Sequence, residues 1–321
     1  MIHYDIRLGR PEERAVLAAL LQRNLPALND RVYTWNEDRS PYGSPIRWTA
    51  EVRGRGAVVG TSALLPRRLW VRGRARRAGI GSDFAVDRDH RGFGPSLRLQ
   101  KTIQQEASGR GFEILYGVPN HAALPVLLKA GYRVLGPYPR YIKFLRTEYK
   151  AERFLPPEFL TRALRPLGDL VLRWCSLEAL VPLPRGWRIR EPEAFGVEFD
   201  RLWERVRSRF PVIGERNADF LRWRFLESPY DRHHIFALYD GENDLAGYVV
   251  YTFNQDTGRI ADLLYRDSRA LTRLLAAFLR LIRARGAGAV TVSHLGTGEL
   301  HRALRRFLFL PNPGPTHTVL T

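Results

Sequence analysis

Cysteine is almost missing from the sequence, whose one example is Cys175. A single cysteine excludes an intramolecular disulfide, which suits a protein of a reducing compartment. Cys175 lies in an apolar stretch, which argues against a role as a catalytic nucleophile. No group of cysteines and histidines has the spacing of metal ligands, so we predict no metal site.

Lysine is also scarce, and the lysines stand at four positions: Lys101, Lys129, Lys143 and Lys150. The formal net charge is nevertheless +18, so arginine supplies almost all of the positive charge. A basic surface attracts polyanions such as coenzyme A, an acidic acyl carrier protein, RNA or anionic lipid. Because no nucleic-acid-binding motif accompanies the charge, we do not expect nucleic acid to be the partner.

Long hydrophobic runs are missing too. No stretch approaches the roughly 20 apolar residues that span a bilayer, and the N-terminal residues lack the pattern of a signal peptide. We therefore expect a cytoplasmic protein. Its 45% hydrophobic and 26% charged residues are typical of a globular chain, and 321 residues suffice for two domains with complete cores.

The most informative segment covers residues 80–100. Strand-type apolar residues up to Val86 are followed by the turn Arg91-Gly-Phe-Gly94, and helical spacing begins at Leu97. Glycines allow a left-handed backbone and leave no side chain between the backbone and a ligand. Since the turn opens a helix, its free N–H groups and the helix dipole favour an anion, and a diphosphate would fit there.

A second predicted strand over residues 112–119 is followed by a segment that runs from Asn120 to Tyr132. The order of strand, Arg-Gly-x-Gly turn, helix, strand and Asn-x-x-Ala resembles the GNAT superfamily of acyl-coenzyme A N-acyltransferases. The resemblance implies a mixed α/β fold in which the two strands separate around the pantetheine arm. It also implies acyl-CoA, most simply acetyl-CoA, as co-substrate.

The resemblance assigns donor binding to the strand end, the loop, the first helical turn and one asparagine that would bond the pantetheine arm. By position these residues are Phe84, Ala85, Val86, Arg91, Gly92, Phe93, Gly94, Pro95, Ser96 and Asn120. Two positions depart from the family pattern. Asp89 stands where Gln or Arg is usual, and Leu127 stands where a tyrosine often protonates the departing thiolate. The identity of the general acid is therefore open.

The sequence also contains an internal repeat. Trp35 and Trp223 each begin the pattern Trp-x4-Ser-Pro-Tyr, which ends at Tyr42 and Tyr230. A hairpin of equal length follows each copy, and then a strand with an internal aspartate, an amphipathic helix and a further strand. We predict two GNAT-like domains in tandem, loosely similar to proteins of surface-polysaccharide clusters. Trp35 and Tyr42 are expected at the substrate site.

The repeat predicts a donor-binding domain over residues 1–150 and a second GNAT-like domain over 187–321. The linker at 151–186 has the spacing of an amphipathic helix, which we interpret as a connecting helix packed on the domains. Its basic, Trp- and Leu-rich part at 159–174 leaves contact with an anionic membrane surface as a less favoured alternative. Because residues 265–271 of the second copy lack glycine, that copy should not bind coenzyme A.

Acyl transfer to an amine requires removal of a proton and stabilisation of an oxyanion. Backbone N–H groups near Ala85 and Val86 are candidate oxyanion donors. Asp83 could bind or deprotonate the acceptor, or it could hold the loop by hydrogen bonds. Tyr116 could replace the missing acid if it faces the cleft, and the alternative is a tyrosine buried in the core.

The whole sequence predicts an N-acyltransferase that moves an acyl group directly from acyl-CoA to the amine of a small molecule. Direct transfer is favoured over a covalent intermediate because no convincing nucleophile is present. Three alternatives stay open. They are a long-chain enzyme that uses acyl carrier protein, a tRNA-dependent aminoacyl transferase of the Fem type, and a non-catalytic thioester-binding protein.

Overall fold

The computed structural model describes residues 2–25, 29–92, 94–146, 176–312 and 317–321. Phe93, Cys175 and the predicted helix over 159–174 lie outside these ranges. What the sequence predicts for those residues, including the linker's contact with the domains or with a membrane, stays a prediction.

The first repeat supplies seven strands and four helices to the described part of the chain. The strands are β1 (Tyr4–Leu8), β2 (Ile46–Val52), β3 (Ala57–Val71), β4 (Arg74–Val86), β5 (Ile114–Gly117), β6 (Arg133–Pro137) and β7 (Arg140–Phe144). The helices are α1 (Arg14–Asn24), α2 (Asp30–Asp38), α3 (Pro95–Glu106) and α4 (Leu124–Ala130). The predicted order of strand, glycine turn, helix and strand is therefore present as β4, α3 and β5.

From residue 176 onward the described chain has the same kind of elements. Its strands are β8 (Arg188–Arg190), β9 (Val212–Gly214), β10 (His234–Tyr239), β11 (Leu245–Asn254), β12 (Thr257–Tyr265), β13 (Ala289–Ser293), β14 (Leu310–Asn312) and β15 (His317–Leu320). Its helices are α5 (Leu177–Leu180), α6 (Val197–Val206), α7 (Ala218–Leu221), α8 (Ser268–Ala284) and α9 (Glu299–Arg306). The hairpins β2–β3 and β10–β11 correspond to each other, as the repeat predicts.

The strands form two mixed sheets. The first has the order β1-β2-β3-β4-β5-β15-β6, with β9 added to β3, and the second has the order β14-β7-β13-β12-β11-β10-β8. Each sheet contains one parallel pair, β4 with β5 and β12 with β13, and its other pairs are antiparallel. This architecture confirms the predicted α/β fold class with two mixed sheets.

The two repeats exchange their last strands. β7 of the first repeat lies between β13 and β14 in the second sheet. β15 of the second repeat lies between β5 and β6 in the first sheet. The predicted domains, 1–150 and 187–321, therefore correspond to the two sequence copies, but neither domain forms a sheet from its own strands alone. The alternation of apolar residues in a short strand fits either sheet, so the sequence pattern could not decide between them.

The copies meet at Trp35 and Trp223. Their indole rings are stacked, with centroids 4.5 Å apart and an interplanar angle of 14°. The Trp35 indole N–H donates to the Trp223 carbonyl at 2.9 Å, and the Trp223 indole N–H donates to the Trp35 carbonyl at 3.3 Å. Such reciprocal contacts are what a twofold relation between the copies produces.

Candidate active site

The loop between β4 and α3 has a left-handed backbone at both glycines. Gly92 and Gly94 have φ angles of 89° and 95°. Apart from the adjoining residues, no atom of the described chain lies within 4 Å of a Cβ placed on either glycine. Gly94 is the N-cap of α3 and provides no side-chain hydrogen bond, while Pro95 opens the first turn. The first-turn amides are thus left without a side-chain cap, which suits an anionic ligand such as a diphosphate.

Arg91 stabilises this loop through two hydrogen bonds. Its Nε donates to the Val86 carbonyl at 2.9 Å, and its Nη2 donates to Oδ1 of Asn24 at 2.8 Å. The neighbouring ion pair between Arg23 and Asp87, at 2.6 Å, ties α1 to the same strand end. Arg91 therefore fixes the loop while its charge remains next to the predicted diphosphate position.

β4 and β5 separate beyond Ile80. Their parallel pairing joins residues 78–80 to residues 114–116, whereas β4 continues to Val86 and β5 ends at Gly117. A free edge of β4 therefore begins beyond Ile80, where the resemblance places the pantetheine arm.

The amides along this edge alternate in direction. The Asp87 N–H donates to the Val59 carbonyl on β3 at 2.8 Å. Because neighbouring amides of a strand point to opposite edges, the Val86 N–H points to the edge that β5 has left. Ala85 is paired with Thr61 of β3, and its amide lies on the β3 side. Of Ala85 and Val86, Val86 is therefore the residue whose N–H lies on the free edge.

Asn120 stabilises the turn that leads into α4. Its Oδ1 accepts from the Ala123 N–H at 2.9 Å, and its carbonyl accepts from the Leu124 N–H at 3.1 Å. The side chain is exposed, and its contact with pantetheine stays a prediction. Leu127, which holds the usual position of the acid, is a buried member of the cluster beneath α3.

Asp83 lies in a β-bulge of β4, where the register against β3 shifts. Its φ is 52°, and its side chain is only 2% exposed. The carboxylate accepts from Nη2 of Arg47 at 2.9 Å and from the Ser82 hydroxyl at 2.8 Å. Arg47 is itself buried and also pairs with Glu37. These contacts make Asp83 part of a buried ion-pair network with Arg47, and they do not include the loop N–H groups that the sequence-based structural role required.

A cavity of about 540 Å³ lies between the two repeats. Leu64 and Leu115 pack in the cluster around α3, whereas the next residues, Leu65 and Tyr116, line the cavity. Because neighbouring side chains of a strand point to opposite faces, the cavity lies across the first sheet from α3. It reaches β4 at residues 80–82, where β4 and β5 part.

Tyr116 faces this cavity, as the general-acid hypothesis requires. It is paired with Ile80 in the last register position before the strands separate. Burial raises the pKa of Tyr116 above its usual 10, so the phenol is protonated at neutral pH. Within the described ranges no side chain or backbone group is hydrogen-bonded to its hydroxyl.

Trp35 and Tyr42, the predicted substrate residues, also line the cavity. The Tyr42 hydroxyl donates to Oε2 of Glu215 at 2.7 Å, and burial together with this bond raises the pKa of Tyr42. Glu215 is 5% exposed and also pairs with Arg68 at 3.2 Å. Tyr42 is thus held against the second repeat.

Several lining residues were missed by the sequence reasoning. They are Arg67, Arg68, Tyr138, Glu215, Arg216, Arg224, Tyr230 and Asp262. Tyr230 could have been found, because it is the repeat counterpart of Tyr42. The arginines carry no distinguishing sequence signal in a chain this rich in arginine.

The second repeat differs at the corresponding helix. α8 has Asp267 as its N-cap, and the Asp267 carboxylate accepts from the Ala270 N–H at 2.8 Å. The first turn of α8 thus has a side-chain cap, which the first turn of α3 lacks. At the bulge of β12, Asp262 pairs with Arg216 at 2.9 Å and accepts from the Tyr248 hydroxyl at 3.1 Å.

In the part of the chain that the structure describes, no group of three His, Cys, Asp or Glu side chains is arranged to hold a metal ion. Over the same residues, no helix has the length and apolar character needed to cross a membrane.

No family model matches the sequence, and no curated protein matches it either. Solved structures match it over its whole length. A probable N-acyltransferase from Enterococcus faecalis has a TM-score of 0.71 at 12% identity, covering 100% of this chain and 72% of that chain. A GCN5-related N-acetyltransferase from Anabaena variabilis has a TM-score of 0.71 at 14% identity, covering 99% and 72%.

A third match has a bound acyl donor. N-myristoyltransferase from Saccharomyces cerevisiae, solved with myristoyl-CoA, has a TM-score of 0.60 at 13% identity, covering 99% of this chain and 82% of that chain. The chain has the GNAT fold. The resemblance predicted from the Arg-Gly-x-Gly turn is therefore confirmed for the fold.

Proposed function

We propose that this GNAT-fold protein is an N-acyltransferase that takes an acyl group from acyl-CoA and transfers it to the amine of a small molecule. One observation carries the proposal. The cavity between the repeats reaches β4 at residues 80–82, where β4 and β5 part, on the face of the sheet opposite α3. A donor held at the α3 N-terminus and an acceptor in the cavity would meet there.

The donor arm would follow the free edge of β4. From Val86 back to Gly81 is five residues, or about 17 Å of extended strand, and the pantetheine arm is a chain of this order of length. Gly81 has no side chain and exposes its backbone in the cavity. We therefore move the expected oxyanion donor from Ala85 and Val86 to the β4 backbone beside Gly81, and assign Val86 to the pantetheine arm.

The reaction forms a C–N bond and breaks the C–S bond. The amine loses a proton, and the thiolate gains one. Tyr116 lies where the strands part and is protonated, so it is placed to donate to the thiolate. We assign no carboxylate as base, since Asp83, Glu215 and Asp262 are each held by an arginine, and we expect the amine proton to leave through water.

Donor binding tests the proposal. In calorimetry with acetyl-CoA, Gly94→Asp should lower affinity by about a hundredfold or more, because the added carboxylate repels the diphosphate. Gly94→Asn has nearly the same size, tolerates a positive φ better than most residues and adds no charge, so it should retain more affinity. Circular dichroism checks the fold of both variants. Unchanged affinity in folded Gly94→Asp would contradict the proposed donor site.

A further inference from the structure

Two arginines of the cavity lie on the stacked tryptophans that join the repeats. The Arg67 guanidinium carbon is 4.6 Å from the ring centroid of Trp223, and that of Arg224 is 5.6 Å from the ring centroid of Trp35. Both arginines line the same cavity as Tyr116. One comes from each repeat, so the cavity between the copies brings their charges together.

The other two cavity arginines form ion pairs, whereas Arg67 and Arg224 form none with the residues that the structure describes. Arg68 pairs with Glu215 at 3.2 Å, and Arg216 pairs with Asp262 at 2.9 Å. Among the described residues, no carboxylate lies within 4.0 Å of Arg67 or Arg224. The hydrogen bond of Arg67 goes to the Pro66 carbonyl at 2.9 Å. The cavity thus has four arginines against two carboxylates, and the excess positive charge belongs to Arg67 and Arg224.

Both charges are held in an unfavourable environment. Burial lowers the pKa of Arg67 to about 10, although the nearby tyrosines partly oppose this. Burial also lowers the pKa of Arg224. The two charges repel each other across the cavity. Both side chains are partly buried. A partly buried charge without a carboxylate partner is unfavourable, and an anion that binds between the two guanidinium groups would offset that cost.

We propose that Arg67 and Arg224 bind an oxyanion group of the acceptor, so that the acceptor is an amine that also carries a carboxylate or a phosphate. This inference rests on the proposed function, because it assigns the cavity to the acceptor. Guanidinium groups bind both kinds of oxyanion through paired N–H donors. The donor diphosphate is not the anion meant here, since its proposed site lies across the sheet at α3.

Matched acceptor pairs test the inference. With acetyl-CoA as donor, we would compare leucine with leucinamide, and glucosamine 6-phosphate with glucosamine. The anionic member of at least one pair should have a kcat/KM about tenfold or more above its neutral partner. A preference within the amino-acid pair identifies a carboxylate, and one within the sugar pair identifies a phosphate.

Variants link the preference to the two arginines. Arg67→Gln and Arg224→Gln should each lower the ratio of anionic to neutral kcat/KM by about ten- to a hundredfold. Arg67→Lys keeps the positive charge, so it should lower this ratio less than Arg67→Gln does. The matched control is Arg205→Gln, which changes an exposed arginine of α6 that pairs with Asp244; neither residue lines the cavity, so the ratio should stay unchanged.

A direct binding measurement separates the two proposals. Calorimetry with inorganic phosphate and with acetate, without donor, should detect binding to the wild type that the Arg67→Gln/Arg224→Gln double variant loses. If the protein binds acetyl-CoA but neither prefers the anionic acceptors nor binds phosphate or acetate, the inference is overturned and the proposed function stands. Anion binding without acetyl-CoA binding would instead overturn the proposed function.

Discussion

The N-termini of α3 and α8 occupy corresponding places in the two repeats, yet they are built in opposite ways. Each helix follows a strand with a bulge at an aspartate (Asp83 in β4) or directly before one (Asp262 in β12). At α3 the cap is Gly94, with a left-handed backbone and no side chain. At α8 the cap is Asp267, whose carboxylate accepts from the Ala270 N–H. The same helix dipole is thus left open to a ligand in one copy and satisfied internally in the other.

This difference is consistent with a division of work between the two copies. The first repeat keeps the elements that suit an acyl donor, namely the open α3 terminus and the separated strands. The second repeat contributes Glu215, Arg216 and Arg224 to the cavity lining. We propose that it has exchanged donor binding for acceptor binding.

The largest effect is expected where the second repeat completes the first sheet. Val319 of β15 is fully buried in the cluster around α3. Val319→Asp would bury an unpaired carboxylate and should lower the free energy of unfolding by more than about 4 kcal/mol. Urea denaturation measures this. The control Leu310→Asp, on the exposed strand β14, should change it by no more than about 0.5 kcal/mol. Equal small effects would contradict the strand exchange.

Removal of the bulge aspartate should affect stability more than catalysis. Asp83→Asn leaves the buried Arg47 with Glu37 alone, which we expect to cost about 3 kcal/mol of unfolding free energy. The folded variant should keep kcat within a few-fold. Asp262→Asn is the matched change in the second repeat. A stable Asp83→Asn protein whose kcat falls a hundredfold would identify Asp83 as the base.

Tyr116 has no phenolic counterpart in the second repeat. When Asp262 is aligned with Asp83, Arg259 corresponds to Ile80, and its partner on β13 is Thr291. Tyr116→Phe should lower kcat by about a hundredfold while leaving acetyl-CoA affinity unchanged, because the acid is lost but the donor site is not. Steady-state kinetics and calorimetry give the two values. Tyr132→Phe, in the core of the same repeat, should affect stability alone. Similar rates for both variants would show that Tyr116 is not the acid.

The smallest effect is expected at the α8 cap. Asp267→Ala should lower the free energy of unfolding by about 1 kcal/mol and leave acetyl-CoA affinity unchanged. Burial alone would raise the pKa of Asp267, but hydrogen bonds from Ala270 and Arg266 lower it below 3.8. The contribution of the carboxylate is therefore present above pH 3.8 and declines as pH falls through the lower folded value. A pH-independent difference between variant and wild type would contradict this account.

The sequence predicts the features that depend on local chemistry. The glycine turn at Gly92 and Gly94 requires a left-handed backbone, and the alternating hairpins and the Trp-x4-Ser-Pro-Tyr copies are visible without coordinates. The long-range pairings are not visible in this way. Neither the ion pair of Arg47 with Asp83 nor the place of β15 between β5 and β6 leaves a local pattern. The sequence could not show which arginines line the cavity, because no local pattern distinguishes them from arginines on the surface.

The central claim is that the first repeat alone binds the acyl donor, and the stoichiometry of binding tests it most directly. Calorimetry of the full chain with acetyl-CoA should give one site per chain. That site should be lost in Gly94→Asp and retained in Asp267→Ala. Two sites per chain, or a single site that survives Gly94→Asp, would contradict the account.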